Sequence, residues 1–280
     1  MAEFRQNIPQ KKIPVWATIR EAFNFSWNYR HALWLWIVVG ATLVGLASSV
    51  DPSWILTEEN GESADLFGLK NFGVTFLVSM PSVFVFVAMA VYCHCSILIV
   101  GHERAANLQV AYSSREWKFF TWGLLVYVAT LCCLIPGSIT AGILLRELDE
   151  IYRENSWMKS ILEFFLFYGV FLLPGYYILG RWSLVFPAIA VDGLPIIRWS
   201  WRQTKGNGWR MLLFVGFVPL TVGYVDSVLA LIGLTEYPVS RNFLSSFVLF
   251  FFAPVQVGVI SIAFRELTNW TPSSQLPQST

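Results

Sequence analysis

One carboxylate, Asp226, stands inside a long apolar run of the sequence, residues 211–235, where its chemistry would take place in a low-dielectric medium. A charged side chain is costly in hydrocarbon, so such a residue faces protein or water, or takes up a proton. Asp226 is therefore a candidate for a proton or cation site. The alternative interpretation is a helix-packing acid that bonds to Tyr224, Ser227 or another neighbour.

Two further ionisable residues lie in apolar runs, and neither predicts a reactive site. Glu163 stands near the start of the run 161–180, so its carboxylate can reach the outer surface. His94 lies between Cys93 and Cys95. Consecutive helical residues point about 100° apart, so these three side chains cannot converge on one metal ion. We therefore predict no metal site and a packing role for His94.

More candidates lie in the polar stretch 181–210, just before the apolar run that holds Asp226. We expect Pro195 to start a short helix on which Arg198 and Arg202, four residues apart, share one face. A row of cations beside a membrane surface favours contact with anionic lipid headgroups. The alternative is that these cations only reflect the topology of the chain.

Turn signals flank that short helix. Asp192-Gly193 predicts a turn before it, and Gly206-Asn207-Gly208 predicts its end. We expect the carboxylate of Asp192 to pair with Arg198 or Lys205. The residues predicted to bind a ligand are thus Asp226, Asp192, Arg198, Arg202 and Lys205.

The composition indicates that lipid surrounds most of the chain. Hydrophobic residues make up 55% of the sequence and charged residues 13%, against roughly 25% charged residues in a soluble domain. The net charge of +1 gives no electrostatic basis for nucleic-acid binding. The sequence holds no phosphate-binding loop, no HExxH motif and no Gly-x-Ser-x-Gly motif. We therefore predict a protein without enzymatic activity and without a cofactor.

Six apolar runs reach or approach the length of about 20 residues that a helix needs to cross the hydrocarbon core. We predict an all-α polytopic membrane protein with one transmembrane domain, residues 1–270, and a disordered tail, residues 271–280. The predicted spans are 32–50, 72–100, 119–145, 161–180, 211–234 and 242–264.

The distribution of positive charge orients these spans. With six spans, 14 of the 19 Lys and Arg residues lie on the side of the two termini. Lys and Arg concentrate in cytoplasmic loops, so both termini are predicted to be cytoplasmic. The polar start of the chain has no signal-peptide pattern.

An amphipathic helix is predicted before the first span, over residues 14–30. On a helical wheel its apolar side chains form one broad arc and its polar side chains lie opposite. Such a helix is expected to lie in the membrane interface. The arc consists of Val15, Trp16, Ile19, Ala22, Phe23, Phe25, Trp27 and Tyr29.

Prolines and small residues lie within several of the predicted spans. Each proline removes a backbone donor. Kinked helices occur where transporters bind substrate and also in membrane proteins generally, so both interpretations stay open. Ala41 and Gly45 have the small-xxx-small spacing that permits close helix contact. The prolines within predicted spans are Pro81, Pro136, Pro174, Pro219 and Pro254.

A longer pattern covers the stretch 181–210: an apolar Pro-Ala piece, an acidic residue, a Ser-Trp pair and a Lys-Gly-Asn before a span. These residues are Pro187, Ala188, Asp192, Ser200, Trp201, Lys205, Gly206 and Asn207. The pattern resembles the polytopic membrane domain found with some glycerophosphodiester phosphodiesterases and in related stand-alone bacterial membrane proteins of unknown role. The resemblance implies a helical topology and a bacterial inner membrane. It implies no phosphodiesterase activity, which belongs to a separate soluble barrel.

Two functions are compatible with these features. The first is a non-enzymatic protein that binds or transports a lipid-like or other small amphiphile, and it predicts a cavity lined by Asp226. The second is a structural or assembly subunit of a larger membrane complex, with another protein or a second copy as partner. It predicts a filled core and an apolar flank. Membrane lipids are expected partners in both.

Overall fold

The structure, a computed structural model, describes residues 11–47, 69–99, 113–151, 173–193, 196–232 and 238–271. Within these ranges the chain forms nine α-helices and no strand. The predicted all-α class is therefore confirmed for the described part of the chain. Glu163 and nearly all of the predicted tail lie outside it.

The helices are numbered in chain order, and five of them are long and apolar enough to cross a membrane. They are α1 (Val15–Asn28), α2 (Arg30–Ala47), α3 (Leu69–Leu98), α4 (Ser114–Ile151), α5 (Leu173–Trp182), α6 (Val185–Ala190), α7 (Ile197–Gln203), α8 (Gly208–Leu231) and α9 (Pro238–Thr268). The candidate spans are Arg30–Ala47, Leu77–Leu98, Ser114–Leu144, Gly208–Val225 and Ser240–Thr268. They correspond to five of the six predicted spans and identify the chain as a membrane-integral protein. The remaining prediction, 161–180, is described only from residue 173, the first described residue of α5.

Helix α9 lies at the centre of the bundle and packs against α1, α2, α3, α6 and α8. Helix α2 runs antiparallel to it, with Gly45 against Phe243 and Gly40 against the ring of Phe250. A Cβ atom on Gly40 would lie 2.0 Å from that ring, so only glycine allows this approach. Ala41 on the same helix is fully buried. The close helix contact predicted at Ala41 and Gly45 is therefore confirmed.

Helix α1 precedes α2 across a break at Tyr29 and packs along the second half of α9. The order of contacts shows the antiparallel course: Lys11 pairs with Glu266, and Ala22 lies against Gly258 further back along α9. Since α2 follows the first half of α9, the two N-terminal helices together accompany nearly the whole of it.

The broad apolar arc predicted for α1 is divided into two faces in the structure. Ala22 is buried against α9, and Phe25 packs against the core. Trp16 and Trp27 point away from the bundle and are 83% and 65% exposed. A helical wheel does not separate the two faces, because it does not show which apolar side chains meet protein.

The short helix α6 lies between two buried clusters of apolar side chains. Val185 and Ile189 belong to a cluster with α2, α3 and α9, whereas Leu184 and Ala188 belong to a cluster with α1, α8 and the second half of α9. Six residues cannot span a membrane, and their backbone is tolerated at this place because protein surrounds it. Helix α6 is therefore a buried part of the bundle.

Helix α4 lies at the edge of the bundle and contacts α3, α5 and α6. At its start, the backbone N–H of Ser113 donates to the carboxylate of Glu116 at 2.8 Å, which forms part of a capping box. Further along, Ile135, Ile139 and Ile143 are 54%, 59% and 60% exposed. An apolar face of this kind is suited to lipid or to another membrane helix.

Four of the five prolines lie inside helices that continue through them: Pro81, Pro136, Pro219 and Pro254. Pro174 is the second described residue of α5.

Candidate functional site at the basic end of the bundle

The ends of several helices meet at one end of the bundle, which we call the basic end. It contains the C-terminal ends of α3, α5 and α9, the N-terminal ends of α4 and α8, and the helices α1, α6 and α7. After α9, Trp270 donates its indole N–H to the carbonyl of Leu98 at the end of α3, over 3.2 Å. Four of the five predicted ligand-binding residues lie in this part of the chain.

Asp192 lies at the turn that ends α6, in a left-handed backbone conformation with φ of 58°. Its N–H donates to the carbonyl of Ile189, and the N–H of Gly193 donates to that of Ala188, at 3.0 and 2.7 Å. This pair of bonds is a Schellman motif, in which glycine is the usual residue at the left-handed position. The predicted Asp192-Gly193 turn is confirmed, with a charged side chain at its strained position.

The carboxylate of Asp192 binds Arg115 at the start of α4 through both oxygens. Nε donates to Oδ1 at 3.2 Å, and Nη2 donates to Oδ2. The prediction that Asp192 pairs with Arg198 or Lys205 was wrong, because neither forms an ion pair within the described ranges. Arg115 precedes Asp192 by 77 residues, so sequence spacing gave no signal for this pair.

Arg115 connects this ion pair to a buried thiol. Its Nη1 donates to Sγ of Cys95 at 3.6 Å, and the thiol donates to the carbonyl of Ala190 at 3.3 Å. One guanidinium thus joins α3, α4 and the end of α6. The arrangement favours a structural joint, since all three of its donor nitrogens are occupied.

Arg181, the second to last residue of α5, is 6% exposed and holds α7 in place. Its guanidinium donates to the carbonyls of Trp201 and Thr204, the latter at 3.1 Å, and lies 4.4 Å from the centre of the Trp201 ring. In return, its own carbonyl accepts a hydrogen bond from Ser200 at 2.7 Å. A cation at the C-terminal end of a helix is favourable because the carbonyls there are unpaired.

Helix α7 and the turn that follows it present three exposed cations. Arg198 and Arg202 are four residues apart, and Lys205 follows within one turn. None of them has a carboxylate partner in the described part of the chain. Two tryptophans that are 39% and 63% exposed, Trp201 and Trp209, accompany this row. Cations interleaved with tryptophan suit the headgroup region of a membrane, where rings and charges both find partners.

Asn207 fixes the segment before α1 to the start of α8. Its Oδ1 accepts hydrogen bonds from the backbone N–H of Ile13 at 3.1 Å and from Arg210 at 3.2 Å. Its Nδ2 donates to the carbonyl of Lys11 at 3.0 Å. The predicted end of α7 is confirmed, since Gly206 has φ of 76°. The sequence indicated this turn but not that Asn207 would bind the N-terminal segment.

Asp226 lies apart from the other four predicted residues. It belongs to α8, 18 residues after Gly208, which corresponds to about 27 Å along the helix. The position of its side chain lies outside what the structure describes. The structure therefore assembles Asp192, Arg198, Arg202 and Lys205 at the basic end and places the backbone of Asp226 towards the other end.

His94 has the packing role that its flanking residues predicted. Its Nδ1 lies 2.6 Å from Oγ of Ser261, whose hydroxyl already donates to the carbonyl of Val257. The imidazole therefore donates this bond, and its ring packs against Phe119. Among the described residues no three His, Cys, Asp or Glu side chains form a group that could hold a metal ion.

The chain matches no protein-family model, no curated protein and no solved structure. The resemblance to the membrane domain associated with glycerophosphodiester phosphodiesterases therefore stays a prediction from the quoted residues.

Proposed function

We propose that this protein is a multi-pass membrane protein without enzymatic activity that binds a lipid-like amphiphile by its anionic headgroup at the basic end. In this proposal six helices span the membrane and both termini are cytoplasmic. A bacterial inner membrane is the location that the resemblance implies. Asp226 is the candidate for any step within the bilayer, such as transport of the bound molecule.

The observation that carries the proposal is the row of Arg198, Arg202 and Lys205. Its charges have no carboxylate to neutralise them within the described ranges, and the buried guanidinium of Arg181 holds the helix that bears them. A row of cations on a held backbone binds an anion with less loss of backbone freedom than a mobile segment would. The adjacent tryptophans are suited to the glycerol and upper acyl region of the same molecule.

Native mass spectrometry of the protein extracted gently from its membrane tests this proposal. We expect a retained anionic amphiphile that is lost when Arg198, Arg202 and Lys205 are all replaced by Ala. The matched control is Arg146→Ala, which removes an exposed cation of α4 far from the row. Equal retention by both variants would sink the proposal, provided that cysteine labelling shows an unchanged topology.

The alternative is a structural or assembly subunit of a larger membrane complex, and the exposed apolar face of α4 favours it. Ten large apolar side chains of this helix are exposed among the residues described: Trp117, Leu124, Leu125, Tyr127, Val128, Leu131, Ile135, Ile139, Ile143 and Leu144. A stoichiometric protein partner without a retained amphiphile in the same experiment would favour this reading. Asp226 would then be a packing residue, and Asp226→Asn would leave the complex intact.

A further inference from the structure

Helix α1 carries a second aromatic face, on which two tryptophans are largely exposed. Trp16, Phe23 and Trp27 follow one another at intervals of seven and four residues, which places them on one side of the helix. We call this face the aromatic ridge. Trp16 and Trp27 are 83% and 65% exposed, while Phe23 between them is 37% exposed and packs edge-on against Phe252 of α9 at 6.1 Å.

The opposite side of α1 is fixed to the bundle, so the ridge has a definite direction. Thr18 and Ala22 are buried, and a Cβ atom at Gly258 of α9 would lie 3.2 Å from Cβ of Ala22. Glu21 binds Arg265 at 2.7 Å. The helix therefore cannot turn its tryptophans inward without breaking these contacts.

The charges around the ridge are positive. Arg20 is exposed on the same side, between Trp16 and Phe23. Arg30 lies 5.0 Å from the ring centre of Trp27 and donates to that residue's carbonyl at 2.9 Å. The one acid of α1, Glu21, lies on another side of the helix and is paired with Arg265. Aromatic rings bordered by arginines complement a surface that is apolar below and anionic above.

Other exposed tryptophans of the described ranges lie at the basic end: Trp201 on α7, and Trp117 and Trp209 in the first turns of α4 and α8. Trp34 of α2 instead packs against Phe247 in the first half of α9. Tryptophans near the ends of spans are typical of the levels where a bilayer meets water.

We propose that the aromatic ridge of α1 is a contact surface for an anionic lipid bilayer, with Phe23 and Trp27 in the headgroup layer and Trp16 further towards water, since α1 runs antiparallel along α9. The contact of Ala22 with Gly258 then places Gly258 at the same level. The last turns of α9 lie on the aqueous side, although they are apolar, because α1, α3 and α6 cover them. The apolar stretch of α9 has 29 residues and is about 43 Å long, which exceeds a hydrocarbon core of about 30 Å.

Fluorescent labelling of neighbouring positions tests this placement. The full chain with Cys132 and Cys133 replaced by Ala receives Trp27→Cys or Asn28→Cys, and an environment-sensitive dye is attached. Asn28 is the matched control, since it is the next residue and lies on the exposed polar side of the same helix. The protein is reconstituted into vesicles of phosphatidylcholine with phosphatidylglycerol.

We expect the dye at position 27 to emit at shorter wavelength, to be quenched by a spin label near the lipid headgroup and to resist quenching by iodide. The dye at position 28 should show the reverse. The pair Phe23→Cys and Asn24→Cys repeats the comparison if the first pair folds poorly. Removing phosphatidylglycerol, or adding Arg20→Gln, should reduce the lipid quenching at position 27.

Two results would overturn the proposal. The first is equal quenching at both positions of each pair. The second is protection of position 27 from lipid and iodide alike together with cross-linking between copies, which would assign the ridge to a protein partner. Neither result depends on whether α7 binds an amphiphile, so this proposal and the proposed function fail separately.

Discussion

The side-chain amide of Gln256 in α9 donates a hydrogen bond to the carbonyl of Val215 in α8, over 2.8 Å. That carbonyl has no helical donor, because the residue four positions later is Pro219. In a membrane-spanning helix a free backbone carbonyl is costly, and a neighbouring side chain commonly satisfies it. Gln256 therefore compensates for the proline on the adjacent helix.

Replacing Gln256 by Leu leaves the Val215 carbonyl without a partner, and we expect a loss of about 1–3 kcal/mol in the free energy of unfolding. Denaturation of the purified protein in detergent measures it. The control is the double variant Gln256→Leu with Pro219→Ala, in which residue 219 regains its N–H and can bond to Val215. The idea fails if the loss is the same in both backgrounds.

Because Asp192 has a left-handed backbone conformation, two substitutions can measure separately how its conformation and its charge affect stability. Asp192→Ala and Asp192→Gly both remove the ion pair with Arg115, but only alanine has a Cβ at φ of 58°. We expect the alanine variant to be less stable than the glycine variant by about 1–2 kcal/mol. Thermal unfolding in one detergent gives the comparison. Equal stability would mean that the turn relaxes and that only the ion pair holds it.

Arg181 should control the order of α7 without controlling the rest of the bundle. Arg181→Met removes two hydrogen bonds from a charged group to helix-end carbonyls, each worth about 1.5–3 kcal/mol. We expect faster amide hydrogen exchange over residues 197–204, by more than about tenfold, with α2 and α9 unchanged. Arg202→Met on the exposed side of α7 is the control. Faster exchange throughout the protein would show that Arg181 supports the whole fold instead.

The sequence predicts the helices and turns better than the contacts between them. Continuous apolar runs predicted six spans, and five of them correspond to long helices in the described ranges, since the length of a span follows from the thickness of the bilayer and needs no knowledge of partners. The turns at Asp192-Gly193 and Gly206 were also predicted, because local steric rules place such residues there. Both kinds of feature depend on interactions within a few residues.

The contacts that build the basic end could not be predicted in the same way. Arg115 meets Asp192, and Asn207 meets Ile13, across 77 and 194 residues of chain. Arg181 looked like a charge at the end of a span, which positive-inside topology explains without a buried role. The division of the α1 surface into a packed face and an exposed ridge also depends on the presence of α9.

The pairing of α1 and α2 with α9 also constrains the biosynthesis of the chain. Lys11 and Glu266 are separated by 255 residues, which take about 13–50 s to synthesise at 5–20 residues per second. During that time Thr18 and Ala22 have no α9 to cover them, and Gly40 and Gly45 of α2 are open to lipid or to an assembly factor. Helices α1 and α2 are made first but are therefore among the last to reach their final neighbours. Premature termination of the chain before α9 removes the surface on which both α1 and α2 pack.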